Sequence, residues 1–335
     1  MTAPLPSSAP AIRWGILGAG GIAHKLAQAV NRHTASEVVA VASRTPGKAE
    51  AFAIDEGIEH SYGSYEELVA RDDIDAVYVA TTHNDHHTPA LLAIDAGKNL
   101  LVEKAFTQNT AQAEMVLDAA AAKGVYVQEA MWARWLPHMV ELRAAIARGD
   151  IGDVVLVQAD HGQPIAHVDR MRRPDLAGGA LLDLGIYPVS FAHNILGVPD
   201  SIHAVGQLTD EGVDGQVGMI FDYADRAQAS LTTTMWARTP CAAVVAGTEG
   251  RIEIEGTFYA PTRWRLTRTG DRHDGTTMEY DGRIDNGFQY EAAEVARNIT
   301  AGLSESPDLP WAQTLEIMRM LDEIRAQIGV EYPNE

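Results

Sequence analysis

The chain has 335 residues, 46% of them hydrophobic, and 26 lysines and arginines against 46 acidic residues give a formal charge of −20. That charge argues against non-specific binding to nucleic acid and to anionic membrane surfaces. No apolar run reaches the roughly 18–20 residues of a membrane helix, and a single cysteine, Cys241, suits a reducing cytoplasm. The length predicts about two domains. Residues 1–10 hold Pro and Ser without a basic end or an apolar signal core, so a frayed, disordered tail is expected there.

From Arg13 the sequence reads as a short apolar strand that turns at Gly18-Ala19-Gly20-Gly21-Ile22-Ala23 into a helix with Leu26, Ala27 and Val30 at helical spacing. This is the G-x-G-x-x-(G/A) pattern of a dinucleotide-binding turn. Gly18 permits the turn, Gly20 lets backbone N–H groups approach a pyrophosphate, and Ala23 keeps the helix near the sheet. Gly18, Gly20, Gly21, Ile22 and Ala23 are therefore expected at the cofactor. Glycines in loops are common, and the strand before and helix after are what give the pattern weight.

The second strand, Val38–Ala42, ends in Ser43-Arg44, with Lys48 nearby, where an NAD-binding chain would place a carboxylate. A hydroxyl and two cations suit the 2′-phosphate of NADP, and Arg44 can also stack on adenine. A third strand is predicted near Ile58–Tyr62, a helical turn over Tyr65–Ala70, and a fourth strand over Asp75–Ala80. Beyond it lies Thr81-Thr82-His83-Asn84-Asp85-His86-His87, then a helix predicted to start with Thr88 as cap and Pro89 at its first position. The histidines lack H-E-x-x-H spacing and a cysteine partner, so Thr81, His83 and His86 are expected at cofactor and substrate, with no metal.

The fifth strand, Asn99–Val102, delivers Glu103-Lys104 to the same strand ends. A helix is predicted over Thr110–Lys123 with Gly124 as its stop, then a sixth strand over Val125–Gln128. The Glu-Lys pair reads either as a surface ion pair or as a lysine placed to donate a proton or hold charge. Alternating strands and helices predict a parallel sheet over 11–130.

After Trp132 a helix is expected over Leu136–Arg148, followed by strand-like segments at Val154–Ala159, Met219–Tyr223, Gln228–Thr234, Ala242–Ala246, Arg251–Glu255 and Trp264–Thr267. Turn residues such as Asp153, Asp225 and the pair Gly247 and Gly250 suit an antiparallel or mixed sheet. A helix from about Ala180 would put Asp183 and Tyr187 on one otherwise apolar face; two such groups are either satisfied core residues or a site. An amphipathic helix is predicted over Leu315–Ile328, with Pro333–Glu335 as a tail.

The runs His86–Ala90, Gly97-Lys98, Glu103-Lys104 and Gly178–Tyr187 resemble the Gfo/Idh/MocA oxidoreductase family. Thr81-x-His83-x-x-His86, Glu129-Ala130-Met131-Trp132-x-Arg134, Gly179–Tyr187, Gly247-Thr248-x-Gly250, Asp285–Phe288 and Tyr290-Glu291 are similar to its dihydrodiol dehydrogenase and NADP-dependent D-xylose 1-dehydrogenase branch. The resemblance spans nearly the whole chain. It implies an α/β fold: a Rossmann NADP-binding domain over 11–130, then an α/β substrate and oligomerisation domain over 131–335 with a large open, mostly antiparallel sheet. Helix 315–328 is a candidate to pack back on the first domain. It implies a homodimer through the open sheet, and Lys104, Asp183 and Tyr187 as the catalytic group, with Trp132 and Arg134 toward substrate.

One departure is Ala105, where the family motif has proline, which would constrain Lys104. The expected reaction is NADP-dependent hydride transfer at a carbinol or carbonyl carbon of a sugar, anhydro-sugar or cyclic vicinal diol. Tyr187 is the expected base beside the Lys104 cation, with the reverse assignment open. Trp132 offers an apolar wall or is plain core. The rival from another class is a non-catalytic NADP-binding sensor, which has no need for the three catalytic residues together.

Overall fold

The computed structural model describes residues 3–224, 226–269, 277–333 and 335. It divides into two compact units, Pro4–Trp132 with Asn286–Met318, and Ala133–Asp285 with Arg319–Glu335.

In the first unit β1 (Arg13–Leu17), α1 (Gly21–His33), β2 (Glu37–Ala42), α2 (Lys48–Glu56), β3 (His60–Tyr62), α3 (Tyr65–Val69), β4 (Ala76–Val79), α4 (His87–Asp95), β5 (Asn99–Glu103), α5 (Thr110–Lys123) and β6 (Val127–Ala130) follow one another. The six strands are parallel in the order β3-β2-β1-β4-β5-β6. This is the doubly wound Rossmann order, whose switch point lies between β1 and β4. Every residue of β4 is buried, as expected of a central strand covered on both faces. Helix α1 buries Ala23, Leu26, Ala27, Ala29 and Val30 along one stripe. Helix α5 has the predicted bounds because both signals operate: Asn109 accepts from the Gln112 N–H at 3.0 Å, and Gly124 takes the left-handed stop.

In the second unit lie α6 (Pro137–Ala147), β7 (Val154–Gly162), α7 (Ile186–Leu196), β8 (Ser201–Leu208), β9 (Asp214–Asp222), β10 (Gln228–Thr234), β11 (Ala243–Gly247), β12 (Gly250–Ile254), β13 (Arg263–Arg268) and β14 (Thr277–Asp281). They form an eight-stranded sheet, β14-β13-β12-β11-β7-β10-β9-β8, antiparallel except where β7 meets β10. Helix α8 (Phe288–Thr300) belongs with the first unit and packs beside α1. Helix α9 (Trp311–Ile328) is shared, its residues to Met318 counted with the first unit.

Several expectations are corrected. Residues 6–8 form a 3-10 turn with Pro6 and Ala9 buried, and Arg297 Nη2 donates to the Leu5 carbonyl at 2.8 Å, so this stretch is folded where a frayed tail was expected. The first unit does not end near 130, since 286–318 rejoins it. Thr88 does not cap α4: a 3-10 turn over His83–Asp85 runs into a helix starting at His87, and Pro89 lies in its first turns. Strand β6 starts two residues later than predicted. Strands β8 and β14 were not predicted because both are sheet edges, half exposed and without clean alternation. Asp225, read as a turn residue, lies outside the described residues, as do Met1, Thr2 and Asn334 of the two tails.

Candidate active site

At the end of β1, Gly18 has φ +103°, and a Cβ there would sit 2.6 Å from the Ala80 carbonyl oxygen. Only glycine lets the turn pass so close to the end of β4. Gly20 and Gly21 have nothing within 4 Å of a built Cβ, and no side chain caps the start of α1. The start of α1 is thus left without a side-chain cap and with room beside Gly20 and Gly21, an arrangement that suits an anionic pyrophosphate. Ala23 is fully buried, holding the helix close to the sheet.

At the end of β2, Ser43 Oγ accepts from the Thr45 N–H at 3.2 Å, and the turn leads through left-handed Gly47 to Lys48, the first residue of α2. Arg44 is exposed, pairs with Asp85 and lies 4.9 Å above the Tyr65 ring. Burial raises the Asp85 carboxyl above its usual range while Arg44 opposes the shift.

Beyond β4, Thr81 Oγ1 donates to the Asp85 carbonyl at 2.8 Å and fixes the turn. His83 is buried, its ring edge-on to His86 at 5.7 Å. His86 Nδ1 lies 2.9 Å from the Ala105 carbonyl, and Nε2 lies 3.2 Å from the Thr81 carbonyl. Carbonyls only accept, so the single N–H of a neutral imidazole serves the nearer Ala105 oxygen. Burial lowers the His86 pKa to about 4, which keeps the ring neutral. His86 therefore ties the β4 loop to the segment that bears Lys104. Glu103 accepts from the Tyr78 hydroxyl and, through Oε2, from the Lys104 N–H at 3.2 Å. The peptide bond from Lys104 to Ala105 is cis. Trp132 is stacked on Phe288 at 4.3 Å and 4° and is largely buried.

Arg134, Asp183 and Tyr187 belong to the second unit. Arg134 is buried, and its carbonyl accepts from Arg143 Nη1 at 2.8 Å. Asp183 lies in a π-helical turn, Leu181–Gly185, that runs into α7, so the wider turn replaces the regular α-turn expected between Asp183 and Tyr187. The segment starts at Leu181, whose N–H donates to Asp214 Oδ2 at 2.6 Å. Gly179 has φ +115°, and a Cβ there would lie 2.2 Å from Asp214 Oδ1, so Gly179 is what lets Asp214 reach the helix start. Arg170 Nη2 donates to Asp183 Oδ2 at 3.0 Å.

Tyr187 meets two residues that the sequence analysis did not place at the site. Its ring stacks on Tyr259 at 4.1 Å and 22°, and it lies 5.4 Å from the His161 ring. The Tyr259 hydroxyl donates to His161 Nε2 at 2.7 Å, and the Gln163 amide donates to the Tyr259 oxygen at 3.0 Å. No local pattern singles out Tyr259, because its strand-end loop is brought to Tyr187 only by the sheet. Among the described residues, no three His, Cys, Asp or Glu side chains are gathered so as to hold a metal ion, and no helix is long and apolar enough to cross a membrane.

The Rossmann turn, the strand-end Lys104 and the Asp183–Tyr187 segment mark one class of protein. The model of the oxidoreductase family with NAD-binding Rossmann fold matches residues 12–131, and that of the GFO/IDH/MocA C-terminal domain matches residues 139–253. The chain belongs to the GFO/IDH/MocA family of oxidoreductases. Trans-1,2-dihydrobenzene-1,2-diol dehydrogenase of Mus musculus is 37% identical over 333 residues, 97% of this chain and 99% of that one. The protein of the same name from Xenopus tropicalis is 36% identical over 96% of this chain and 100% of its own. The solved structure of KijD10, a 3-ketoreductase from Actinomadura kijaniata in complex with NADP and TDP-benzene, superposes with a TM-score of 0.84 at 26% identity, covering 95% of this chain and 98% of that one. A levoglucosan dehydrogenase in complex with NADH and levoglucosan has the same fold, with a TM-score of 0.84 at 21% identity over 97% of this chain and 100% of its own.

Proposed function

We propose that the protein is an NADP-dependent dehydrogenase acting at a CH–OH carbon of a sugar, an anhydro-sugar or a cyclic vicinal diol. The observation that carries the reading is the uncapped start of α1 over the open space at Gly20 and Gly21, in a chain whose full-length relatives are named as diol dehydrogenases. Gly18, Gly20, Gly21, Ile22 and Ala23 would hold the pyrophosphate at that helix start. Ser43, Arg44 and Lys48 would take the 2′-phosphate, with Arg44 shared between it and Asp85. Thr81, His83, His86 and Glu103 would shape the cofactor's bed, His86 by holding the Lys104–Ala105 backbone. When bound, the nicotinamide accepts or returns a hydride.

The chain's own residues handle the proton. Tyr187 takes the substrate hydroxyl proton in oxidation. A free phenol titrates near ~10, and the Lys104 ammonium would lower that value and stabilise the developing alkoxide. Asp183, which accepts from Arg170, orients the substrate or Lys104. Trp132 and Arg134 contribute from the substrate side, Trp132 as an apolar wall backed by Phe288. The protein would work in the cytoplasm as a homodimer through the open face of the eight-stranded sheet, where Val205 and Ile220 are exposed.

The test is cofactor reduction with D-xylose, D-glucose and a cyclic trans-diol, each with NADP and with NAD. NADP-dependent turnover of one of them is expected. A preference for NAD would overturn the Arg44 assignment, and no turnover despite NADP binding would favour ketose reduction or a sensor.

A further inference from the structure

The segment bearing Tyr187 contains its own structural irregularity. In a regular α-helix the Leu184 carbonyl oxygen would accept from the N–H of residue 188, and residue 188 is proline, which has none. His161 fills the gap: its Nδ1 lies 2.9 Å from the Leu184 carbonyl. A carbonyl only accepts, so Nδ1 carries the proton and Nε2 of the neutral ring is an acceptor. The Tyr259 hydroxyl occupies that acceptor at 2.7 Å. Gln163 Nε2 closes the group, 3.0 Å from the Tyr259 oxygen and 2.9 Å from His161 Nε2. Tyr259 then lays its ring on Tyr187 at 4.1 Å. A circuit of contacts thus leaves the catalytic segment at Leu184 and returns to it at Tyr187.

Each member is held from behind. The His161 backbone sits in β7, and Thr233 Oγ1 donates to its carbonyl at 3.1 Å. The loop before Tyr259 is pinned by the Phe258 N–H on the Cys241 carbonyl at 2.8 Å. A Cβ at Gly256 would lie 1.9 Å from the Pro240 carbonyl oxygen, so that loop approaches its neighbour as closely as the chain permits. Burial first, then the neighbouring Cys241 and Asp183, keep the Tyr259 phenol protonated, opposed by the Gln163 hydrogen bond. Tyr259 is therefore a fixed donor to His161 and not a second base.

We propose that Tyr259, anchored by His161 and Gln163, is a positioning residue for Tyr187 that fixes the plane of its ring and so the direction of its hydroxyl. The inference rests on the reading of Tyr187 as the group that takes the substrate proton. Stacking alone would leave the Tyr259 ring free to slide, and the hydrogen bond to His161 removes that freedom. A small misplacement of a reacting group is expensive in rate, about 10²-fold for 1 Å.

Two measurements test it. The first is a turnover cycle with Tyr259→Phe, Tyr259→Leu and each combined with Tyr187→Phe. Tyr259→Leu should lower kcat by about 10- to 100-fold with little change in the KM for NADP, and Tyr259→Phe, which keeps the ring, should lose less. Neither should cost much more once Tyr187 is already Phe, because a residue that acts through Tyr187 is not additive with it. Full additivity, or an unchanged kcat in Tyr259→Leu, overturns the proposal. The second needs no activity: ring-flip exchange of Tyr187 in tyrosine-labelled protein, assigned by its loss in Tyr187→Phe. Slow flipping is expected in the native chain and fast flipping in Tyr259→Leu, and equal rates overturn the proposal. Wild-type turnover in Tyr187→Phe would instead defeat the assignment of the base, which the ring-flip result distinguishes from a failure of positioning.

Discussion

His86 Nδ1 donates to the carbonyl oxygen of Ala105 at 2.9 Å, so a buried imidazole in the loop after β4 holds the backbone next to Lys104. The bond requires a neutral ring, and burial depresses the pKa to about 4 from 6.5. A depressed histidine contributes stability that is fully present above the unfolded value and is lost as pH falls through about 4, because the unfolded chain binds the proton first. His138, also buried and lowered to about 4, donates Nε2 to the Phe258 carbonyl at 2.9 Å and adds a second such limb. His86→Ala should lower stability at pH 7 by about 1–3 kcal/mol and remove the contribution of one titrating proton from the slope between pH 6.5 and 4. Thermal melts of both proteins across that range check it, and parallel slopes would refute it.

Asp214 gives the opposite slope. Its carboxyl is fully buried, with Oδ2 on the Leu181 N–H, and burial lifts its pKa to about 7 against backbone hydrogen bonds that lower it. A raised carboxyl contributes stability that is present below its unfolded value of 3.8 and lost as pH rises through about 7. Asp214→Asn keeps an acceptor for Leu181 and never ionises. The variant should gain stability relative to wild type as pH goes from 4 to 8, read from the difference in melting temperature.

In the proposed function, Arg44 sets the choice of nucleotide. Removing one charge-assisted contact to a phosphate costs about 1.5–3 kcal/mol, or about 10- to 100-fold in affinity. Arg44→Ala should weaken NADP by that factor and leave NAD nearly unchanged. Asp85→Asn, which releases Arg44 from its carboxylate partner, should tighten NADP. Equilibrium titration of both nucleotides decides it, and equal loss for NAD and NADP would remove Arg44 from the 2′-phosphate.

Lys104 and Tyr187 carry the chemistry in the proposed reaction. Lys104→Met should cut kcat by about 10³-fold or more, the range in which removing an electrostatic stabiliser falls, while NADP binding survives. Tyr187→Phe should do the same and flatten the acid limb of kcat, since oxidation needs the phenolate or its hydrogen-bonded equivalent. Near-normal turnover in Lys104→Met would end its assignment.

The homodimer is tested on the open face of the larger sheet. Val205 on β8 is 77% exposed, and Val205→Glu places a charge where an apolar contact between copies is proposed. Light scattering should show the native chain as a dimer and the variant shifted toward monomer. A native monomer would refute the proposal directly.

The sequence by itself determined the elements whose signals are local. The glycine turn at Gly18–Ala23 was legible because a strand, a tight turn and an amphipathic helix each need particular residues at fixed spacing. Helix α5 was legible to the residue because Asn109 and Gly124 punctuate it. Lys104, at the carboxyl end of a buried strand, and the Asp183–Tyr187 pair are proposed as site residues from position in such patterns and from the family resemblance. Tertiary structure decided the rest. Edge strands β8 and β14 carry little periodicity, since one face and one edge meet water. The return of 286–318 to the Rossmann unit depends on packing beside α1, which no local pattern encodes. The lowered pKa of His86 and the raised pKa of Asp214 come from burial and not from neighbours in sequence. The partnership of His161, Tyr259 and Tyr187 arises because the second unit's sheet and loops gather residues far apart in the chain. Hydrogen bonds and ring contacts of that kind are set by three-dimensional distance, which sequence spacing does not report.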